Sequence, residues 1–502
     1  MDRPVAKQSA LRAAKALNAH SLFGIVFGGL IYILAVTGTL SVFNHELQRW
    51  EQPNAPEMHT IAPEAAERAA VHVFESEREP STHLYVNFPQ EDLPRTVVTT
   101  DTQAFFANAD GSVTGVESFP FTQFLLDLHY YLHLPHTLGL TVVGALGALL
   151  VGLSFSGLLA HPRIFRDAFR FRRGAGRLTT IDLHNRLSVW TMPFHFSNAL
   201  TGAILGLASV LALAIAAVGF DDDTAAVFDP VFGADPAPVE GAAEMANIAG
   251  PLAFMAREYP DLDVTHFILH DPGTRGQHTE IVAEHPDRLI FGDYYTFDAS
   301  GEFQGNVGIS NGTPGQQITG SVYNVHFGNW GGIPVKLAYL LSGVSLCTIV
   351  ASGLSIYFSR REANGRPAPR LAGAWQAIVW GTPAVLATTL AASVLGVGGG
   401  GRGGALVAMF WLGLGGQMGI ASLIGASSAR QACLALALAS LIAALAVYHL
   451  RYGMAALSDA GLPVSLAGST LCAGIGGLLL RGRRRRVDRG FAPGDGEIVP
   501  AE

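Results

Sequence analysis

Histidine is the residue type in this chain whose placement suggests chemistry. The stretch DLHNRLSVWTMPFHFSNALTG, residues 182–202, opens an apolar segment with His184, carries Arg186 two positions on, and holds His195 deep inside. A polar ring in hydrocarbon is costly unless it has a partner, so an ionisable residue in a membrane span marks a functional position. Near the start of the chain, HSLFGIVFGGLIYILAVTGTL has His20 followed 17 residues later by Thr37-Gly38, just as His184 is followed 17 residues later by Thr201-Gly202. The same message is written twice.

The repeat extends further. LLDLHYYLHLPHTLG carries His129, His133 and His136 into a second apolar run that closes on SFSGLLAHPR with His161, and VYNVHFGNWGGIPVK carries His326 into another that closes on ASGLSIYFSRR. His129 precedes Ser156-Gly157 by 27 residues and His326 precedes Ser352-Gly353 by 26, whereas starting from His133 gives 23, so the repeat prefers His129. His129 and His133, four apart, fall on one helical face, an arrangement that can bind zinc, but no glutamate general base stands between them. Repeated halves in membrane proteins place shared sites at their interface. Symmetry therefore pairs His20 with His184 and His129 with His326. His195 lies eleven residues beyond His184, about 16 Å along one helix and on nearly the same face; its repeat-mate position is Ile31.

Haem iron of the b type needs one or two neutral imidazoles in an apolar slot and no covalent attachment. The chain has no C-x-x-C-H, which excludes c-type haem. Facing histidine pairs at two depths suit an electron path across a membrane, one haem near each surface. The alternative is that these are interfacial histidines satisfied by backbone or water.

The elements that must position them are membrane helices. At 502 residues, 49% hydrophobic and 14% charged, the chain is too apolar for a soluble protein. Runs long enough to cross about 30 Å of hydrocarbon occupy about 22–43, 138–160, 188–218, 335–358, 372–396, 405–425, 431–450 and 463–480. Lys and Arg concentrate in the N-terminal tail, at 163–177, at 360–370 and at 481–489; by the positive-inside rule both termini of a multi-pass membrane protein are then cytoplasmic. The arginines of the tail follow a span directly and read as a topology anchor, not a nucleic-acid site. The formal charge of −8 then resides mainly in two outer segments. Each combines a helical stretch with strand-like runs and a hairpin, at Asp110-Gly111 and Ser300-Gly301. Three cysteines, Cys347, Cys433 and Cys472, all in spans, disfavour disulfides in the outer segments and thiolate metal sites. GVGGGGRGG at 396–404 follows no strand and lacks the ending of a phosphate loop.

The expected fold is an all-α polytopic bundle of about eight transmembrane helices with two small α+β outer domains and an internal tandem repeat. Its parts are a tail at 1–19, helix one at 20–45, an outer domain at 46–128, helices two and three within 129–218, a second outer domain at 219–325, helix four at 326–360, helices five to eight within 361–480 and a tail at 481–502. His45, beside Glu46 and Trp50, reads as part of an interfacial belt.

The quoted stretches, together with FNHELQRW, LHYYLHLP and VHFGNWGG, resemble the PepSY-associated transmembrane family of iron-regulated inner-membrane proteins over about residues 12–362. The resemblance implies PepSY-like outer domains and haem b, two groups, ligated by His20, His129, His184 and His326, with His161 and His195 as the main rivals; His133 is a further candidate, and Arg186, at the inner edge of its span, is placed either to snorkel or to meet a cofactor carboxylate. It further implies reduction of a ferric siderophore or other ferric chelate. No cytoplasmic loop has room for a flavin or nicotinamide domain, so electrons come from a membrane quinol or a separate donor. Two other readings stand beside it: a membrane-anchored PepSY module that binds a protein or regulates a peptidase, and a transporter of the chelate or of metal.

Overall fold

Long apolar runs fold as helices in a bilayer because only a helix satisfies its own backbone there. The computed structural model describes residues 3–490 except 78–80, 162, 170–176, 234–235, 237–238, 240, 287 and 400–402, and of residues 3–7, 9–10 and 483–490 only the backbone. Part of the basic loop at 163–177, the tail arginines beyond 482 and the centre of the glycine-rich run at 396–404 thus lie outside the described side chains. Helices α1 (Arg3–Ser41), α2 (Asn44–Glu51) and α3 (Pro63–Ser76) lead to strands β1 (His83–Asn87), β2 (Thr96–Thr100), β3 (Ala104–Ala107) and β4 (Val113–Val116). Next come α4 (Pro120–Tyr131), α5 (His136–Ala160), α6 (Ile164–Asp167), α7 (Arg177–Trp190), α8 (Met192–Gly219), α9 (Ala225–Phe232) and α10 (Ala249–Glu258). Strands β5 (Asp263–His270), β6 (His278–Glu284), β7 (Asp293–Phe297) and β8 (Phe303–Val307) precede α11 (Pro314–Phe327) and α12 (Gly332–Ala363). Helices α13 (Pro369–Val394), α14 (Gly403–Ile424), α15 (Ala426–Tyr452) and α16 (Leu462–Gly490) complete the chain. Among the described residues eight helices are long and apolar enough to cross a membrane, the number expected, and the protein is a multi-pass membrane protein.

The two segments expected to form outer domains share one antiparallel sheet, ordered β4-β3-β2-β1-β5-β6-β7-β8. The join is the pairing of β1 with β5, which sets Tyr85 opposite Ile268. Each half would otherwise present an unpaired strand edge, a template for aggregation; joining them removes both. Period-two alternation sends Leu84, Val86, Phe267, Leu269 and Ile281 to one face, where they form a single core with the alanines of α3 and with Leu252 and Met255 of α10. The backbone N–H of Ile248 donates to the Glu67 carboxylate across the same join. The helical stretch expected in the second outer segment forms from Ala249, with residues 241–248 preceding it without helix.

Two helix boundaries also differ from expectation. α4 ends at Tyr131 because Leu132 and His133 both adopt left-handed conformations, which turns His133 off the helical face it was read to share with His129. The third span is interrupted at Thr191: Pro193 has no N–H, and its ring crowds the carbonyl four residues back. His184 and His195 therefore sit on two successive helices. Where α5 meets α8, a Cβ on Gly144 would stand 2.7 Å from the Gly206 backbone, so only small residues admit this crossing.

Lys336, at the start of α12 and 4% exposed, ties the sheet to the helices. Its Nζ donates to Glu46 Oε1 at 2.7 Å and to Asp92 Oδ2 at 2.9 Å, and His45 Nδ1 lies 3.0 Å from the other Asp92 oxygen. His45, read as an interfacial belt residue, is part of this knot. Burial alone would raise the Asp92 carboxyl, but His45 and Lys336 overcome it and hold the group below the usual carboxylate range. Removing the cation leaves Glu46 without its partner and Asp92 with His45 alone, at a cost of about 2 kcal/mol given that both carboxylates stay partly exposed. Lys336→Met should accordingly lower the melting temperature of the detergent-solubilised protein by several degrees, and an unchanged melt would show that the knot holds nothing together.

The chain comprises two compact units, residues 1–350 and 351–502. The second unit has a polar seam of its own: Cys433 Sγ donates to Gln417 Oε1 at 3.3 Å, Thr388 and Ser440 hydroxyls lie 3.0 Å apart, and the Arg430 guanidinium stands 4.4 Å over the Trp380 ring.

Candidate functional site

Two short helices deliver the histidines nearest the sheet. The N-terminus of α4 is held by the Glu51 carboxylate, which accepts from the backbone N–H groups of Phe121 and Thr122, both at 2.8 Å, and from the Thr122 hydroxyl at 2.6 Å. That of α11 is closed by a capping box between Thr313 and Gln316. Near their C-termini the His129 and His326 rings face each other, centroids 6.3 Å apart and planes 20° from parallel. His326 Nδ1 donates to the Asn198 carbonyl and the Thr201 hydroxyl, each at 3.1 Å. His129 Nδ1 lies 3.2 Å from the Thr37 hydroxyl and also meets the Leu34 carbonyl. The Thr37 hydroxyl donates its own proton to the Ile33 carbonyl at 2.9 Å, leaving its oxygen to accept from the imidazole. Burial pushes the His129 imidazole down to about 3, the neighbouring His326 ring adding to the effect, and pushes His326 down to about 4.

The second pair stands at the other end of the first span. His20 and His184 have centroids 6.5 Å apart and planes at 76°. His20 Nδ1 donates to the Leu153 carbonyl at 3.0 Å with the Ser156 hydroxyl at 3.2 Å, and His184 Nδ1 donates to the Ile349 carbonyl at 3.0 Å. Since His20 and Thr37 lie on one helix 17 residues apart, the two levels are separated by about 25 Å along it.

One local pattern recurs in three of these cradles. A helical carbonyl and, three residues on, a Thr or Ser hydroxyl receive Nδ1, and the glycine that follows clears space for the ring. A Cβ on Gly38 would stand 2.6 Å from His129 Cε1, one on Gly202 2.7 Å from His326 Cε1, and one on Gly157 3.3 Å from His20 Cε1. The Thr-Gly and Ser-Gly dipeptides, visible in the sequence as landmarks of a repeat, are the seats of the histidines, a role that spacing alone did not disclose.

Tying up Nδ1 fixes the tautomer and leaves Nε2 as the ligating nitrogen. With metal–imidazole bonds of about 2 Å, two rings on opposite sides of one ion have centroids about 6 Å apart, close to both separations seen. Among the described residues no group of three or more His, Cys, Asp or Glu is arranged to hold a metal ion. At each level the facing imidazoles could hold one ion from two sides.

The remaining candidates lie elsewhere. His195 is 5% exposed and buried near the Thr191 hydroxyl, its Nδ1 3.4 Å away. His161 ends α5 with Nε2 3.7 Å from Asp167. His133 stacks on Phe124, centroids 4.9 Å apart, and its buried Nε2 has no hydrogen-bond partner among the described residues. The Arg186 guanidinium lies 4.2 Å over the Trp190 ring. None of the four enters either pair.

A family model described as the PepSY-associated TM region matches residues 17–360, which include both pairs. The chain is also 27% identical over 256 residues to an uncharacterised protein of Pseudomonas aeruginosa, covering 49% of this chain and 65% of that relative, so the match spans less than two thirds of the relative's length.

Proposed function

Because the chain belongs to the PepSY-associated TM family, we propose that it is a haem b protein of the bacterial inner membrane that moves electrons across the bilayer to reduce a ferric chelate, such as a ferric siderophore. The observation that carries this reading is the pairing of His20 with His184 and His129 with His326 at a spacing suited to one iron between two imidazoles. Haem, held by His20 and His184 at one level and by His129 and His326 at the other, would supply reversible one-electron chemistry.

What the chain contributes is binding, orientation and exclusion of water. Four imidazoles are held as neutral ligands by acceptors on Nδ1, in slots walled by helices. The sheet, on the side of the His129 and His326 pair, covers the end at which an acceptor would arrive. A quinol or a separate donor protein feeds the His20 and His184 level, and the basic segments of the sequence set the termini in the cytoplasm. Reduction weakens the hold of a siderophore on iron, which is how such a step would release the metal.

Absorption spectra of the purified protein, oxidised and dithionite-reduced, with a pyridine haemochrome count, test this. The expected result is a b-type spectrum with about two haems per chain. Protein expressed with ample haem and showing no Soret band would sink the reading.

A further inference from the structure

The sheet-side pair has an aromatic outlet on one half only. His326 is followed by Phe327, whose ring centroid lies 5.4 Å from the imidazole, and Phe327 in turn meets Tyr323 one helical turn back at 4.3 Å. Tyr130, next to His129, joins the same group, 5.9 Å from Phe327. Tyr323 is 43% exposed, so the stack reaches accessible surface. Three residues before His129, where the first half would place the counterpart of Tyr323, stands Leu126. The two halves match in their histidines and their Thr-Gly seats but diverge here.

Beyond Tyr323 the rings continue toward the sheet: Phe291 lies 6.2 Å from it, and Tyr294 and Phe232 lie 5.8 and 6.2 Å from Phe291. The ionisable groups acting on these rings are carboxyls, Glu284 on Tyr323 and Glu280 on Tyr294. Burial, then Asp263 and Asp92, push the Glu284 carboxyl up to about 7, and Glu284 in turn acts on the Tyr323 hydroxyl, whose own value burial raises. A strongly anionic chelate would meet repulsion from these carboxylates, whereas a neutral or cationic one with apolar surface would find aromatic faces and no opposing charge.

We infer that Tyr323 is the docking contact of the electron acceptor, and that the acceptor is a neutral or cationic ferric chelate packed against Tyr323 and Phe291, in ring-to-ring continuity with His326. This rests on the reading that the sheet-side pair holds a redox group. One electron leaves that reduced group and enters the chelate, whose Fe(III) becomes Fe(II); no bond to the protein forms or breaks and no proton need move.

The experiment uses two neutral probes on the full-length protein in detergent. Binding of gallium(III) tris(maltolate), which does not accept an electron, is measured by calorimetry, and reoxidation of the dithionite-reduced protein by iron(III) tris(maltolate) is followed at the haem absorption. Tyr323→Ala should weaken gallium binding and slow reoxidation about tenfold each, with the haem spectrum unchanged; Tyr323→Phe, which keeps the ring, should stay within about twofold of the parent, as should Leu126→Ala. Gallium(III) EDTA, an anion, should bind at least tenfold more weakly than the maltolate. Parent protein that does not bind the gallium maltolate, or Tyr323→Ala protein that binds and reoxidises like the parent, overturns the inference. Should the parent carry no haem, the proposed function falls, and the gallium titrations alone decide whether Tyr323 is a docking contact.

Discussion

On the proposed haem reading, His326→Ala protein should bind about one haem b per chain against about two expected for the parent, and the haem that remains should exchange electrons with ferric chelates at least tenfold more slowly. The expectation follows from the division of the four histidines into two levels about 25 Å apart along the first helix. Removing His326 takes away one of the two imidazoles proposed to hold the sheet-side group and leaves His129 without its facing ring. The distal pair keeps every contact it has, because the carbonyls that hold His20 and His184 belong to Leu153 and Ile349, well away from the substitution. His184→Ala should therefore produce the complementary protein: a similar loss of haem, with the sheet-side group retained and still oxidised by a ferric chelate, but no longer reduced from the donor side. Reduced-minus-oxidised spectra and haemochrome counts of both variants check this. Equal spectra for the two variants and the parent would mean that the rings meet for another reason, such as packing, and that neither pair is an axial set.

The histidine pairing is legible in the sequence, and the reason is physical. A bilayer forces a uniform helix length, so two copies of one span place corresponding residues at the same depth, and intervals counted in residues translate into levels. The eight spans were legible for the same reason. The interruption at Thr191 was signalled by Pro193, a residue whose consequence for the helix went unread, and so His195 was expected on one continuous helix with His184. The joining of β1 to β5 has no local signature at all: edge pairing between segments some 180 residues apart is decided by which edges are left over once each half has folded. The knot of Lys336, Glu46, Asp92 and His45 is invisible for a similar cause, since its four members come from three regions distant in sequence and none stands out by composition. His133 was misplaced because helical spacing was assumed to continue past Tyr131, where two successive left-handed residues end it. Its ring packs on Phe124 instead.

Alanine at Gly38 or Gly202 should disable the sheet-side pair nearly as completely as loss of the histidine itself, while alanine at Gly157 should be tolerated. The three glycines look alike in the sequence, each following a Thr or Ser in an apolar run. They differ in clearance. A methyl at Gly38 would come within 2.6 Å of His129 Cε1 and one at Gly202 within 2.7 Å of His326 Cε1, whereas at Gly157 the distance to His20 Cε1 is 3.3 Å. Restoring an ordinary contact of about 3.4 Å asks the His20 ring to yield by a trivial amount, but asks the sheet-side rings to move by roughly 0.7 to 0.8 Å against a packed interior that relaxes only partly. A ring pushed that far loses its Nδ1 acceptors, Thr37 and Leu34 for His129 or Thr201 and Asn198 for His326, and with them the tautomer and orientation that ligation requires. Overpacking of this kind costs about 1 to 3 kcal/mol, small enough that the protein should still fold and insert. The haem count should then separate the variants: about one per chain for Gly38→Ala and Gly202→Ala, about two for Gly157→Ala. If all three behave alike, close approach of the glycine backbone is not what seats the imidazoles, and the Thr-Gly dipeptides serve helix packing alone.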